Sequence, residues 1–101
     1  MSLHPETSAI TAGRPDAAPD APLNPPLVFS STYHAGGPVG YGRYGNESWS
    51  ALETAIGELE GGATLSFSSG MAAVSAVFSI LPIGAPVVAS NQGYSGVMGL
   101  L

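Results

Sequence analysis

The hydrophobic pattern predicts an amphipathic helix that begins near residue 48. Apolar side chains recur there at spacings of three and four: Trp49, Leu52, Ile56 and Leu59. Glutamates lie largely between them, so one helix face is apolar and the other charged. Ser48 or Ser50 can cap the start, and the glycines at 61 and 62 supply a left-handed stop. The predicted helix therefore ends at residue 60.

Two short segments beyond this helix have the composition of strands. Apolar and small polar side chains alternate from 63 to 68, and 86–90 is a short apolar run. Between them, 71–81 is uncharged, rich in alanine and long enough for three helical turns, and Pro82 and Gly84 end it. The order predicts a βαβ unit of a parallel sheet, which needs further elements to cover both faces.

The first part of the chain is predicted to lack regular structure. Six prolines within 1–26 disfavour a helix, so we expect an extended arm. The segment 27–33 resembles a strand in composition but leads into a glycine-rich loop, 34–45.

Composition narrows the class of protein. Charged residues make up 9% of the chain and hydrophobic residues 45%, whereas about 25% charge is usual for a soluble domain. This imbalance indicates missing partners. The net charge is −5 and the only Lys or Arg residues are Arg14 and Arg43, which argues against a nucleic-acid partner.

Lysine and cysteine are absent. The first 13 residues carry no secretory signal, so we expect a cytoplasmic location.

Two sites have candidate phosphate-binding chemistry. Ser68, Ser69, Gly70 and Met71 stand where the predicted strand meets the predicted helix, and free N–H groups at such a junction suit an anion. An ordinary helix cap is the alternative. In the loop, Tyr41 and Arg43 can donate to phosphate oxygens, or they are solvated surface residues.

Four motifs occur together in one order: Pro25-Pro26-Leu27 with Ser30-Ser31-Thr32-Tyr33, Tyr41-x-Arg43-x-x-Asn46, Leu52-Glu53-x-x-Ile56-x-x-Leu59-Glu60-Gly61-Gly62, and Ser68-Ser69-Gly70-Met71-Ala72-Ala73. From about Leu23 onward the chain thereby resembles the amino-terminal region of the cystathionine γ-synthase family. Its members are pyridoxal-phosphate enzymes of cysteine and methionine metabolism. Their joint occurrence makes the motifs specific.

The resemblance implies roles for particular residues. Ser69 and the backbone amides of Gly70 and Met71 would bind the phosphate of pyridoxal 5′-phosphate. Tyr41 and Arg43 would reach that phosphate from a neighbouring subunit, which implies a homo-oligomer, a dimer or a dimer of dimers. Tyr94 would stack on the pyridine ring and act near the substrate as the catalytic residue. No metal is implied.

The resemblance also implies the architecture, which is the start of an α/β, fold-type I enzyme of the aspartate-aminotransferase kind. Residues 1–47 would form the arm and phosphate-contacting loop, and 48–101 the incomplete beginning of the large cofactor domain. Glu47-Ser48, Ala85 and Val97 depart from the usual family pattern of Pro-Thr, Asp and Thr. These departures leave the subgroup open.

The implied activity is that of a transsulfuration transferase or lyase acting on a sulfur amino acid or an activated homoserine ester. γ-Replacement, γ-elimination and β-elimination share these motifs, so the reaction stays open. The family's Schiff-base lysine would lie beyond Leu101. Without any lysine, a chain of these 101 residues is expected to be inactive.

A membrane-associated protein is the alternative from another class. No residue from 61 to 101 is charged, and 71–90 reaches the length of about 20 residues that spans a bilayer. Pro82, Gly84 and Pro86 interrupt that segment, and no flanking Lys or Arg would orient it. His4 and His34 have no partner ligand at metal spacing.

Overall fold

The computed structural model describes residues 3–101. In this part of the chain four helices follow one another: α1 (Pro5–Thr11), α2 (Glu47–Glu60), α3 (Gly70–Ser79) and α4 (Ser95–Met98). The chain divides into two compact units, the first ending at Leu65 and the second formed by Ser66–Leu101. Helices α1 and α2 pack together in the first unit, and α3 and α4 in the second.

Helix α2 confirms the predicted amphipathic helix and its glycine stop. Gly61 has φ 72°, in the left-handed region, and its N–H donates to the carbonyl of Gly57. The predicted cap was wrong by a few residues: Asn46 caps the helix, because its side chain accepts a hydrogen bond of 2.8 Å from the N–H of Ser48. Asparagine is among the best N-cap residues.

The helix-free arm was also a wrong prediction, because α1 lies within it. Pro5 stands at the first turn of α1, where the missing N–H has no intrahelical partner to lose, so proline favours the start of this helix. After α1, Gly13 (φ 73°) approaches the carbonyl oxygen of Ala51 so closely that a Cβ would collide with it. This contact joins the end of α1 to α2.

The predicted strands are not formed. The described residues contain one isolated antiparallel bridge, between Thr32 and Tyr41, and no strand. The segments 63–68 and 86–90 are neither helix nor strand. A strand needs a neighbouring strand to pair its N–H and C=O groups. The helix of the expected βαβ unit is present as α3, but its sheet is not.

Apolar side chains lack cover throughout the described residues. None of their hydrophobic side chains is buried, and Phe29, Ile83 and Val88 are 93%, 107% and 101% exposed. Low charge together with open apolar surface fits the missing partners inferred from composition.

The predicted boundary between residues 47 and 48 separates two functional parts, whereas the compact units divide after Leu65. The functional boundary stays a prediction.

The alternative of a membrane span receives no support. Among the described residues, no helix combines the length and the apolar character needed to cross a bilayer. Within the apolar segment 71–90, α3 ends at Ser79 and turns follow around Pro82 and Gly84.

Candidate functional site

The start of α3 presents backbone N–H groups. Ser69 is its N-cap with extended geometry, φ −160° and ψ 160°. The hydroxyl of Ser69 accepts from the N–H of Ala72 at 3.1 Å, and its carbonyl accepts from Ala73 at 3.2 Å. The N–H groups of Gly70 and Met71 come before the first intrahelical hydrogen bond, so the helix itself offers them no acceptor. With the helix dipole, they favour an anion at this point.

These amides border a cavity of about 460 Å³ in the second unit. Its lining consists of Ser69, Gly70, Met71, Val74, Tyr94 and Val97. A Cβ built on Gly70 would meet no heavy atom within 4 Å, so a ligand has room to approach the backbone there. The ring of Tyr94, 70% exposed, stands at the N-terminus of α4. Four predicted site residues are thus brought together: Ser69, Gly70, Met71 and Tyr94.

Gly96 supports this arrangement, although the sequence did not point to it. A Cβ at Gly96 would lie 2.8 Å from Cε1 of Tyr94 and 3.0 Å from Sδ of Met71. A Cβ at this position would require the Tyr94 ring or the Met71 side chain to shift. The glycine two residues after Tyr94 was the available signal, but spacing alone did not show what it would touch.

Tyr41 and Arg43 lie together in the first unit. The guanidinium carbon of Arg43 is 4.5 Å from the centroid of the Tyr41 ring and 5.8 Å from that of Tyr44. The two rings meet edge to face at 6.4 Å between centroids. Such cation–π contacts hold the arginine in place while its N–H groups stay available. Tyr44 was missed, although its place beside Arg43 was visible in the sequence.

The loop that carries this cluster is closed at its base. The N–H of Gly42 donates to the carbonyl of Ser31 at 2.7 Å, next to the bridge between Thr32 and Tyr41. Gly42 is buried, and a Cβ there would lie 3.0 Å from the Ser31 Cα atom. The N–H of Tyr44 donates to the carbonyl of Tyr41 at 2.8 Å, which forms a tight turn. Tyr41 and Arg43 therefore sit on a folded loop.

Comparison with known proteins places these residues in a family. The family model described as "Cys/Met metabolism PLP-dependent enzyme" matches residues 6–101. A protein of Streptomyces coelicolor named as a cystathionine gamma-lyase is 43% identical in an alignment 101 positions long that covers 90% of this chain and 26% of that protein. The cystathionine gamma-synthase of Mycobacterium tuberculosis is 41% identical in an alignment 106 positions long that covers 96% of this chain and 27% of that protein.

A third relative carries a different name. The cystathionine beta-lyase of Staphylococcus haemolyticus is 37% identical in an alignment 106 positions long that covers 99% of this chain and 27% of that protein. The chain therefore spans about a quarter of the length of these curated relatives. No solved structure matches it significantly.

Proposed function

We propose a function from the premise that this chain belongs to the Cys/Met metabolism PLP-dependent enzyme family. The cofactor of the family is pyridoxal phosphate, and its fold is pyridoxal-phosphate fold type I. We infer that the chain supplies part of the cofactor site of a transsulfuration enzyme. Its substrate would be a sulfur amino acid or an activated homoserine ester. The cytoplasmic location expected from the sequence stays part of this proposal.

The second unit has features that fit the phosphate end of the cofactor. The N-terminus of α3 offers the N–H groups of Gly70 and Met71 beside the Ser69 hydroxyl, at an open glycine. The cavity volume, about 460 Å³, lies within the range of roughly 300–1,000 Å³ typical of small-molecule sites. The observation that carries the proposal is that these groups and Tyr94 line one cavity.

Each residue has a proposed task. Ser69, Gly70 and Met71 bind the phosphate, and the Tyr94 ring fixes the plane of the pyridine ring and contacts the substrate as the catalytic residue of this segment. Tyr41 and Arg43 bind the same phosphate from a neighbouring subunit, so the enzyme works as a homo-oligomer. When bound, pyridoxal phosphate serves as the electron sink for bond breaking at Cα and then at Cβ or Cγ.

The relatives differ in their named reaction. Their names include a gamma-lyase, a gamma-synthase and a beta-lyase, so our proposal covers γ-replacement, γ-elimination and β-elimination together. Residues 1–101 contain no lysine, and a polypeptide of these residues is proposed to be inactive. An in-frame Ser-x-x-Lys segment after Leu101 in the gene would support the enzyme assignment, and its absence would count against it.

The two arginines of the chain provide a matched test. In the complete gene product, freed of cofactor, Arg43→Ala should weaken binding of pyridoxal phosphate about 10-fold or more, because a charge-assisted hydrogen bond to phosphate is lost. Binding of pyridoxal, which lacks the phosphate, should stay unchanged. Arg14→Ala removes the same charge from the arm and should change neither affinity. Equal effects of the two substitutions would refute the proposed role of Arg43.

A further inference from the structure

Two side chains at the start of α2 bind the backbone of the segment 26–28. The hydroxyl of Ser48 accepts a hydrogen bond of 2.8 Å from the N–H of Val28. The side-chain amide of Asn46 donates to the carbonyl of Val28 at 2.9 Å. Both backbone groups of Val28 are therefore satisfied by side chains about twenty residues later in the chain. We call these contacts the Asn46–Ser48 clamp.

The hydrogen-bond directions within the clamp are mutually consistent. Ser48 accepts from Val28, and its own proton points to the carbonyl of Pro26 at 3.3 Å. The Asn46 oxygen accepts from the N–H of Ser48 at 2.8 Å, while its amide nitrogen serves Val28. One asparagine thus caps α2 and holds the extended segment at the same time. Because these hydrogen bonds form one connected network, they fix the start of α2 and the segment 26–28 relative to each other.

The clamp closes the loop that carries the Tyr41 and Arg43 cluster. Val28 stands before the loop and Asn46 directly after it, and the next closure inward is the pair of contacts between Ser31 and Gly42 and between Thr32 and Tyr41. Arg43 and Tyr44 are exposed, Tyr44 to 78%, and Tyr41 is half-buried, so the cluster is held by its own ring contacts and by the loop backbone, not by a buried core. The inner closure shapes the loop, and the clamp holds its base against the start of α2.

We propose that Asn46 and Ser48 are positioning residues for phosphate recognition by Tyr41 and Arg43. This inference rests on the proposed function. Without the clamp, the loop keeps its inner closure but loses its attachment to α2. Tyr41 and Arg43 then sample more orientations, and binding the cofactor phosphate has to order them.

Four variants of the complete gene product separate the clamp from the helix cap. Ser48→Ala removes the hydroxyl, and Ser48→Thr keeps it. Asn46→Asp keeps the oxygen that caps α2 but replaces the donor to Val28 with a carboxylate oxygen. Glu47→Gln, at the exposed residue between them, is the control. The readouts are the dissociation constants of pyridoxal phosphate and of pyridoxal, together with helix content by circular dichroism.

We expect Ser48→Ala and Asn46→Asp to weaken pyridoxal phosphate binding about 3- to 10-fold, the effect of one lost hydrogen bond, and to leave pyridoxal binding unchanged. Ser48→Thr and Glu47→Gln should bind both compounds as the unsubstituted protein does. Hydrogen exchange of the Val28 amide should accelerate in Ser48→Ala and Asn46→Asp but not in Ser48→Thr or Glu47→Gln. Helix content should persist in Asn46→Asp because the cap remains.

Other outcomes overturn the inference. If pyridoxal phosphate and pyridoxal lose affinity equally, the clamp serves general stability and not phosphate recognition. If Arg43→Ala weakens pyridoxal phosphate binding but Ser48→Ala and Asn46→Asp do not, the clamp has no positioning role although the proposed function stands. If Arg43→Ala has no effect either, the proposed function fails first. If Ser48→Ala does not fold, Asn46→Asp with Val28 amide exchange decides.

Discussion

Gly96 shows how one missing side chain shapes the candidate site. Gly96→Ala places a Cβ 2.8 Å from the Tyr94 ring and 3.0 Å from the sulfur of Met71, so the tyrosine has to move. We expect binding of pyridoxal phosphate to weaken about 10-fold, equivalent to about 1.4 kcal/mol. Gly93→Ala is the control, since its Cβ would come no closer than 3.4 Å to Ser90 O. Similar dissociation constants for both variants would contradict this role for Gly96.

Ser69 has two tasks that a single substitution can separate. Ser69→Asp keeps an oxygen that accepts a hydrogen bond from the N–H of Ala72. The helix dipole stabilises the negative charge of a carboxylate at the N-cap. The same negative charge repels a phosphate dianion at Gly70. We expect helix content to stay constant or rise while pyridoxal phosphate affinity falls at least 10-fold.

Ser69→Thr is the control for that experiment, because it retains both the cap and the neutral hydroxyl. Circular dichroism follows the helix and equilibrium dialysis the cofactor. If Ser69→Asp binds pyridoxal phosphate as tightly as Ser69→Thr does, the phosphate does not approach this end of α3. The candidate site would then be an ordinary helix cap, the alternative that the sequence left open.

At this scale, the position of Ser69 before a predicted helix pointed to a phosphate, and the family resemblance pointed to Tyr94. The two residues line one cavity, and their roles stay predictions. Gly96 and the dual role of Asn46 were missed because their importance lies in what surrounds them. A glycine's neighbours and a side chain's distant partner depend on tertiary structure.

Helix α2 ends in the way its sequence predicts, which permits a paired test at the scale of an element. Gly61→Ala forces alanine into the left-handed conformation, φ 72°, and should lower the free energy of unfolding by about 1 kcal/mol. At Gly62 the φ angle is not positive and an added Cβ would meet no atom within 4 Å. Gly62→Ala should therefore raise the free energy of unfolding by about 0.5 kcal/mol, because it lowers the entropy of the unfolded chain. Urea denaturation of the complete gene product measures both changes, and effects of equal sign would contradict the left-handed cap.

Local sequence predicts helices better than strands in this chain. Helices α2 and α3 follow from the spacing of apolar residues and from glycine or proline stops, which lie within or next to the element. Strand formation depends on a partner elsewhere, and the alternation in 63–68 says nothing about which segment that is. The proline count does not predict α1, because proline breaks a helix in its interior but favours one at the first turn, where Pro5 stands.

For the whole molecule, the exposed apolar surface is the dominant property. Among the described residues no hydrophobic side chain is buried, and the curated relatives are about four times as long as the chain. A polypeptide of residues 1–101 should therefore unfold without a sharp transition and bind a hydrophobic dye. A cooperative two-state transition in calorimetry would show that these residues form a closed core by themselves.

Val88 tests whether further chain covers this surface. It is 101% exposed, so Val88→Lys in a polypeptide of residues 1–101 should raise solubility by interrupting an apolar segment. In the complete gene product, if additional elements cover 86–90, the same lysine becomes a buried charge and should lower the free energy of unfolding by more than about 2 kcal/mol. Ala35→Lys adds an equal charge on the exposed loop and should leave both quantities nearly unchanged. Equal stability of the two variants in the complete gene product would mean that Val88 stays in contact with water there.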